Sequence, residues 1–345
     1  MDLGARTLEL VDIASESRDE AALAAHVLAQ IPGAREAGDH CILAGATERG
    51  SRPFVVLAGH LDTVPAQDNR PGRRDDDAVH GLGASDMKAG LAVMIELACA
   101  DAAARTVDLG FVFFPREELP SVESALTPLL EREPGLRSAD LAIVMEPTDN
   151  AIQAGCLGNI NARWMFTGVA GHSARPWLAD NAIHRAGRAI AALADIPVTE
   201  HDYGGLVFRE AVSVTRVGGG IAGNVIPDSA EAQVNYRYAP GRSPEDAEAQ
   251  LREWCEPHGT PEITGHAPSG RVPEGNELVE RLRATGDLAL EPKQAWTPVA
   301  EFALAGVDAV NFGPGDPAFA HRRDERVTVA ALERSYALLE RFACG

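Results

Sequence analysis

One short motif pairs two side chains that can bind a metal ion or transfer a proton. His60 and Asp62 stand one residue apart, directly after the apolar run Phe54–Ala58. Residues i and i+2 of an extended chain point the same way, so Asp62 can contact the imidazole of His60 or the ligand that the imidazole binds. A purely structural pair has the same spacing. The motif by itself therefore leaves metal binding and a structural role open.

Carboxylates occupy comparable places in two further segments. Asp86 precedes a predicted helix over Ala89–Ala104, where it could serve either as a metal ligand or as a helix cap. Glu117 and Glu118 follow the apolar run that ends at Phe114. Because neighbours in an extended chain face opposite sides, one of these carboxylates could bind a metal while the other stays free as a base. A solvated acidic turn is the alternative.

Glu146 and His321 extend the same pattern. Glu146 follows the apolar run Leu141–Met145, and His321 follows a glycine-proline loop after Phe312. In five segments, then, an apolar strand leads to Asp, Glu or His at or shortly beyond its carboxyl end, where α/β sheets place ligands. Two imidazoles and several carboxylates suit Zn²⁺, Co²⁺ or Mn²⁺. A metal pair would also offset the cost of burying so many negative charges.

The sequence around these motifs predicts two structural regions. The first half alternates β-like apolar runs with helical patterns, which predicts βαβ units and a mostly parallel sheet. Between residues 159 and 270 the order becomes β-α-β-β-α-β, which predicts an α+β domain of the ferredoxin-like type. We therefore predict an α/β metal-binding catalytic domain of residues 1–158 and 271–345, interrupted by an inserted domain of residues 159–270.

The composition excludes several classes of partner. The 345 residues include 31 Lys and Arg against 51 Asp and Glu, a formal net charge of −20, and no basic cluster suggests nucleic-acid binding. The most apolar stretch, Leu91–Ala100, contains Glu96 and is much shorter than the ~18 residues of a membrane span. The N-terminus lacks a signal-peptide pattern, and the five cysteines are never spaced as CxxC. We expect a cytoplasmic protein with reduced thiols.

The sequence resembles the dinuclear zinc amidohydrolases and peptidases over essentially its whole length. The resemblance rests on GHLDTVP, GLGASDMKAGLAV, the paired glutamates, EPT, GHSARPWLADNA, NVIPD and FGPGDPAFAHRRDE. It is greatest to the actinobacterial desuccinylase type, which implies hydrolysis of N-succinyl-LL-2,6-diaminopimelate to succinate and LL-2,6-diaminopimelate, in lysine and diaminopimelate biosynthesis. The alternatives are a related N-acyl-amino-acid deacylase, such as acetylornithine deacetylase, a carboxypeptidase, or a non-catalytic binding protein with the same fold.

The resemblance also implies a role for each residue of the metal centre. Asp62 would orient an imidazole ligand, and Glu117 would be the general base that moves a proton from water to the leaving amine. The implied ligands of two Zn²⁺, for which Co²⁺ or Mn²⁺ could substitute, are a bridging Asp86, the pair His60 and Glu146 on one ion, and the pair Glu118 and His321 on the other.

Further implied roles concern the substrate and a second subunit. Similar enzymes dimerise through the inserted domain, so the resemblance implies a homodimer in which His172 helps hold the oxyanion in the partner's active site. Pro298 and Glu301 depart from the family pattern, which commonly has an aspartate and an Arg-Phe pair there, so the substrate is the least specified part of this prediction. The implied contacts to an N-acyl amino acid are Arg175, Asn224, Arg237 and Thr297.

Overall fold

The chain folds into two units, each with its own sheet and helices. The computed structural model describes residues 1–345. The first unit comprises three segments of the chain, Met1–Gly155, Gly270–Lys293 and Thr297–Gly345. The second comprises Cys156–Ser269 and Gln294–Trp296. The two main junctions lie at 155/156 and 269/270, against 158/159 and 270/271 in the sequence-based prediction.

Three residues that we had predicted in the catalytic domain belong instead to the second unit. Gln294 Nε2 donates a hydrogen bond to the Val207 carbonyl at 2.8 Å, and the Arg209 amide donates to Gln294 Oε1 at 3.1 Å. Trp296 Nε1 donates to the Pro268 carbonyl at 3.0 Å. These contacts join residues far apart in the chain, so no local pattern could indicate them.

The regular elements are numbered in chain order. The helices are α1 (Leu3–Asp12), α2 (Ala21–Gln30), α3 (Lys88–Cys99), α4 (Leu126–Arg132), α5 (Ala182–Ala194), α6 (Pro244–Cys255), α7 (Glu277–Ala284), α8 (Val299–Leu304) and α9 (Val329–Cys344). None of these helices combines the length and the apolar character that crossing a bilayer requires. The strands are β1 (Arg35–Glu36), β2 (Ile42–Gly45), β3 (Phe54–His60), β4 (Arg73–Arg74), β5 (Ala78–His80), β6 (Asp108–Phe114), β7 (Leu141–Val144), β8 (Ile152–Ala154), β9 (Gly158–Thr167), β10 (Gly171–His172), β11 (Thr199–Tyr203), β12 (Leu206–Gly219), β13 (Val225–Ile226), β14 (Ser229–Tyr238), β15 (Thr260–Ala267), β16 (Leu290–Pro292), β17 (Ala309–Asn311) and β18 (Arg326–Thr328).

The main sheet of the first unit has eight strands in the order β1-β2-β6-β3-β7-β17-β8-β16. The central neighbours β6, β3, β7 and β17 run parallel, as do β8 and β16. The pairs β1–β2, β2–β6 and β17–β8 are antiparallel. Strand β3 is buried along its whole length, as expected for a central strand covered on both faces. The predicted α/β fold with a mostly parallel sheet is confirmed.

Helix α3 is shorter than its sequence pattern predicts. It ends at Cys99, whereas the pattern predicted a helix as far as Ala104. The Ala103 amide donates a hydrogen bond to Asp101 Oδ1 at 2.9 Å, a local turn that competes with helical hydrogen bonding. The remaining helix is buried over most of its length and packs against α1, α9 and β3, so the start of α3 is held in the core.

The second unit contains a five-stranded antiparallel sheet in the order β11-β12-β14-β9-β15. Helices α5 and α6 pack on one face of this sheet, over a buried cluster that includes Trp164, Phe166 and Tyr236. Without the edge strand β11 and the separate short pair β10–β13, the chain order is β9-α5-β12-β14-α6-β15, the ferredoxin-like order. The predicted α+β insert is confirmed. Strand β11 escaped prediction because its sequence, TEHDY, is almost entirely polar.

Candidate active site

Several candidate residues stand at the carboxyl ends of neighbouring parallel strands. His60 is the last residue of β3, Glu117 and Glu118 lie in the turn after β6, and Glu146 lies in the turn after β7. Because β6, β3 and β7 are adjacent and parallel, these turns meet at one edge of the sheet. The apolar strands thus carry polar residues to a common place.

The carboxylate of Asp86 lies between two imidazoles. His60 Nε2 is 3.1 Å from Asp86 Oδ1 and 3.8 Å from Glu146 Oε1. On the other side, His321 Nε2 is 3.5 Å from Asp86 Oδ2 and 2.9 Å from Glu118 Oε1. The two oxygens of Asp86 therefore face different histidines, which is the arrangement that a shared ligand of two ions requires.

Asp86 does not cap the helix that follows it. The residue at the N-terminal boundary of α3 is Met87, and no side chain forms a capping hydrogen bond there. The Asp86 carboxylate contacts the imidazoles instead. The capping alternative that the sequence left open is therefore wrong.

Two groups of side chains offer ligand atoms within 4.8 Å of one another. One group is His60, Asp86 and Glu118, and the other is His60, Glu117 and Glu146. His60 belongs to both. Glu117, for which the resemblance implied a role as a free base, thus has its carboxylate among the potential ligands, on the side of Glu146.

Asp62 supports this cluster mainly through the main chain. Its carboxylate accepts hydrogen bonds from the Glu117 amide at 2.9 Å, the Glu118 amide at 3.1 Å and the Ser17 hydroxyl at 2.8 Å. His60 Nδ1 lies 2.9 Å from the main-chain carbonyl of Asp62 but 3.6 Å from its carboxylate. The Asp62 side chain therefore holds the glutamate pair more directly than it holds the imidazole.

Glu325 is a residue of this region that the sequence analysis missed. Its side chain is buried, and it accepts hydrogen bonds from the amides of Ser85 and Asp86, both at 2.9 Å, and of Gly83 at 3.0 Å. The only signal was its place shortly after His321. Its neighbours are charged residues, however, and such a run usually indicates a solvated surface.

The electrostatics of the cluster favour a positively charged ligand. Burial and the nearby Glu146 charge raise the pKa of Glu117 well above its ordinary value. Burial and the Asp86 charge raise the pKa of Glu146 to about 7. Hydrogen bonds with Asp86 and Glu118 raise the pKa of His321 to about 10. In addition, Glu146 Oε1 is buried and accepts no hydrogen bond. Such a set of nitrogen and oxygen donors fits a divalent cation.

His172, Arg175 and Asn224 lie in one small substructure of the second unit. Strand β10 ends at His172 and pairs with β13, which begins directly after Asn224. The Ser173 amide donates a hydrogen bond to the Asn224 carbonyl at 3.0 Å. All three candidate side chains are exposed and therefore accessible to a ligand.

The remaining substrate candidates lie on other elements. Arg237 is on β14, where its Nε donates to Asn235 Oδ1 at 3.1 Å and burial lowers its pKa. Asn235 Nδ2 in turn donates to Asn159 Oδ1 at 2.6 Å and to Asn161 Oδ1 at 2.8 Å, an amide cluster that the sequence did not reveal. Thr297 belongs to the first unit and is buried just before α8.

Glu301, which departs from the family pattern, has a structural environment. Its buried carboxylate accepts hydrogen bonds from the Thr127 hydroxyl at 2.7 Å, the Thr127 amide at 3.2 Å and the Ser124 hydroxyl at 3.2 Å. These contacts join α8 to the start of α4. Pro298, the other departure, stands at the N-terminal boundary of α8.

Comparison with known proteins identifies the class. Residues 56–344 match Peptidase family M20/M25/M40, and the chain belongs to this family. It is therefore a hydrolase, and the resemblance seen in its motifs is confirmed.

Individual relatives cover almost the whole chain. The chain is 42% identical over 349 residues to the Mycobacterium tuberculosis protein named "Putative succinyl-diaminopimelate desuccinylase DapE", covering 98% of this chain and 97% of the relative. It is 35% identical over 348 residues to the succinyl-diaminopimelate desuccinylase of Corynebacterium glutamicum, covering 97% of this chain and 94% of the relative. Among solved structures, aminopeptidase PepT from Bacillus cereus matches with a TM-score of 0.82 at 20% identity, covering 99% of this chain and 97% of that chain. This match shows a shared fold.

Proposed function

We propose that the protein is a metal-dependent amidohydrolase that converts N-succinyl-LL-2,6-diaminopimelate to succinate and LL-2,6-diaminopimelate. The observation that carries the hydrolytic chemistry is the cluster of two imidazoles and four carboxylates around Asp86, in which a buried oxygen of Glu146 has no hydrogen-bond donor. The choice of substrate is supported by the two relatives at 42% and 35% identity, both named as desuccinylases.

The proposed cofactor is a pair of Zn²⁺ ions, and the same donors suit Co²⁺ or Mn²⁺. Such ions, when bound, polarise an amide carbonyl and lower the pKa of a water molecule. The proposed division of ligands is supported by the two faces that Asp86 presents to the histidines. It assigns Asp86 as the bridge, His60 and Glu146 to one ion, and Glu118 and His321 to the other.

Glu117 is the proposed general base. A buried carboxylate with a raised pKa holds a proton more strongly than a free carboxylate does, which suits a base that later acts as an acid. Glu117 takes a proton from the attacking water as the new C–O bond forms, and delivers it to the nitrogen as the C–N bond breaks. Its position is supported by the hydrogen bond from its amide to Asp62.

The proposed substrate contacts are mainly cationic and polar. Guanidinium groups bind carboxylates in a bidentate manner, and the proposed substrate carries three carboxylates, so Arg175 and Arg237 are assigned to them. Asn224 and Thr297 are assigned to polar contacts. His172 is assigned to the oxyanion of the partner's active site, a role supported by its exposure on β10.

A homodimer formed through the second unit is part of this proposal. Large apolar side chains are exposed in this unit, among them Trp177 at 75% and Ile221 at 89%. Apolar surface that is exposed as a contiguous patch marks interaction sites. Sedimentation equilibrium should therefore give twice the chain mass, and the double variant Trp177→Ser, Ile221→Ser should shift it toward one chain mass. An unaltered mass would contradict this interface.

A cytoplasmic location is also proposed. It is supported by the five cysteines, all of which are free in the structure. Unpaired thiols persist in a reducing compartment. Fractionation of the source cells, followed by detection with an antibody, should recover the protein with cytoplasmic markers. Recovery with extracytoplasmic markers would contradict the proposal.

A substrate panel tests the proposed reaction. The purified protein is supplied with Zn²⁺ and offered N-succinyl-LL-2,6-diaminopimelate, N-acetylornithine and N-acyl-glutamates, and release of the free amine is measured. We expect the highest kcat/KM for the first compound. Turnover of another compound alone would keep the hydrolase and change its substrate. Absence of all hydrolysis in a metal-loaded protein would favour a binding protein.

A further inference from the structure

Glu325 accepts hydrogen bonds from the turn that carries Asp86 but has no role in the chemistry described above. Its two carboxylate oxygens accept the amides of Gly83, Ser85 and Asp86 at 2.9–3.0 Å. Its main-chain carbonyl accepts the Gly81 amide at 3.1 Å. We infer that Glu325 is a positioning residue that fixes this turn, so that the two oxygens of Asp86 face both histidines.

The chemistry of the turn explains why a carboxylate is used. Gly83 and Ser85 are buried, and an amide buried without an acceptor is costly. Three amides that converge on one point form a concave anion-binding site of the kind that often holds phosphate. Here the anion is a side chain of the same chain, which lies 2% exposed and is itself stabilised by these donors.

The same loop supplies a candidate ligand and its support. His321 and Glu325 lie in one segment, and β18, which begins directly after Glu325, pairs with β5 just before the Asp86 turn. The carboxylate of Glu325 therefore sets the distance between the segment of His321 and the main chain of Asp86. Because an aspartate side chain is short, a shift of the Asp86 main chain moves both of its oxygens.

This inference rests on the proposed metal centre, and Glu301 provides a matched control. Both glutamates are buried in the first unit, and both accept three hydrogen bonds without a cationic partner in those bonds. Glu325→Gln keeps the size of the side chain but places an amino group against at least one amide donor. Glu325→Ala removes all three acceptor contacts. Glu301→Gln and Glu301→Ala make the same changes away from Asp86.

The experiment measures metal binding by the full-length protein. Zn²⁺ affinity is determined by competition with a chelator, and the visible absorption of bound Co²⁺ reports its coordination. Circular dichroism identifies a temperature at which each variant is folded. We expect Glu325→Gln to weaken Zn²⁺ binding about tenfold and to alter the Co²⁺ spectrum, with a larger loss in Glu325→Ala. The Glu301 variants should change thermal stability while keeping the parent affinity and spectrum.

The outcomes separate this inference from the proposed function. If the parent binds two ions and the Glu325 variants behave like the Glu301 variants, Glu325 has no positioning role and the metal centre stands. If the parent binds no divalent ion, the proposed metal centre is wrong and the positioning role falls with it. Should Glu325→Ala fail to fold, the isosteric Glu325→Gln still gives the decisive comparison.

Discussion

Each unit of the molecule buries a cluster of acidic and basic side chains, and the two clusters differ in how their charges are balanced. In the second unit, Glu210 accepts hydrogen bonds from the Tyr236 hydroxyl at 2.6 Å, the Ala239 amide at 3.1 Å and the Arg242 guanidinium at 3.1 Å. His201 Nε2 lies 3.5 Å away. The chain itself supplies the donors and the positive charge that this carboxylate needs.

The cluster around Asp86 lacks that balance. Four carboxylates lie near two imidazoles, and the buried Oε1 of Glu146 has no donor. A cavity of about 670 Å³ borders Glu210. What distinguishes the two regions is unsatisfied negative charge. We therefore expect a ligand in the cluster around Asp86 and a structural role for Glu210.

Removing the shared carboxylate should have the largest effect. In Asp86→Asn, the two histidines lose their common anionic partner, so we expect loss of both bound ions and of all measurable hydrolysis. Metal analysis after dialysis, together with the amine-release assay, measures this. Glu210→Gln is the control and should keep its metal. Equal metal content in the two variants would remove the distinction between the clusters.

Replacing the proposed base should separate chemistry from metal binding. In Glu117→Gln the side chain keeps its size but cannot accept the proton from water, so kcat should fall by about 10²–10⁴. The metal content should stay close to that of the parent. A variant that retained full kcat would exclude Glu117 as the base. Loss of an ion would instead make it a ligand, as its place beside Glu146 allows.

A substitution in the Glu210 cluster should lower stability rather than activity. In Glu210→Gln one hydrogen-bonded oxygen is replaced by the NH₂ of a carboxamide, and Arg242 loses its anionic partner. We therefore expect the free energy of unfolding to fall by about 1–3 kcal/mol. Urea denaturation measures the loss. The kcat of the folded variant should match that of the parent, and a lower kcat with unchanged stability would contradict a structural role.

Glu301 gives the smallest effect and tests a buried carboxylate with neutral donors only. Burial raises its pKa above the value of about 4.3 expected in the unfolded chain, although three hydrogen bonds oppose the shift. Below that value the group is protonated in both states, and the folded state keeps the full stability of the neutral carboxyl. As the pH rises through the folded pKa, the folded state must bury a charge and loses stability. The free energy of unfolding, measured from pH 4 to pH 8, should therefore fall more steeply in the parent than in Glu301→Gln.

Much of the site could be anticipated because parallel strands bring their carboxyl ends together. Apolar runs that end at His60 or lead to Glu146 have a local signature, and the sheet turns that signature into proximity. Glu325 has no such local signature, because its hydrogen bonds come from three amides of a turn that is distant in the chain. Strand β11 was missed because hydrogen bonds to β12, rather than apolar side chains, make it a strand.

The short segment Gln294–Trp296 has a consequence for protein engineering. The chain passes between the two units four times, at 155/156, 269/270, 293/294 and 296/297. A transplant of residues 156–269 alone would leave the Val207 carbonyl and the Arg209 amide without their hydrogen-bond partner on Gln294. The second unit is therefore not one continuous segment of the chain, and a chimera that is to fold must include these three residues as well.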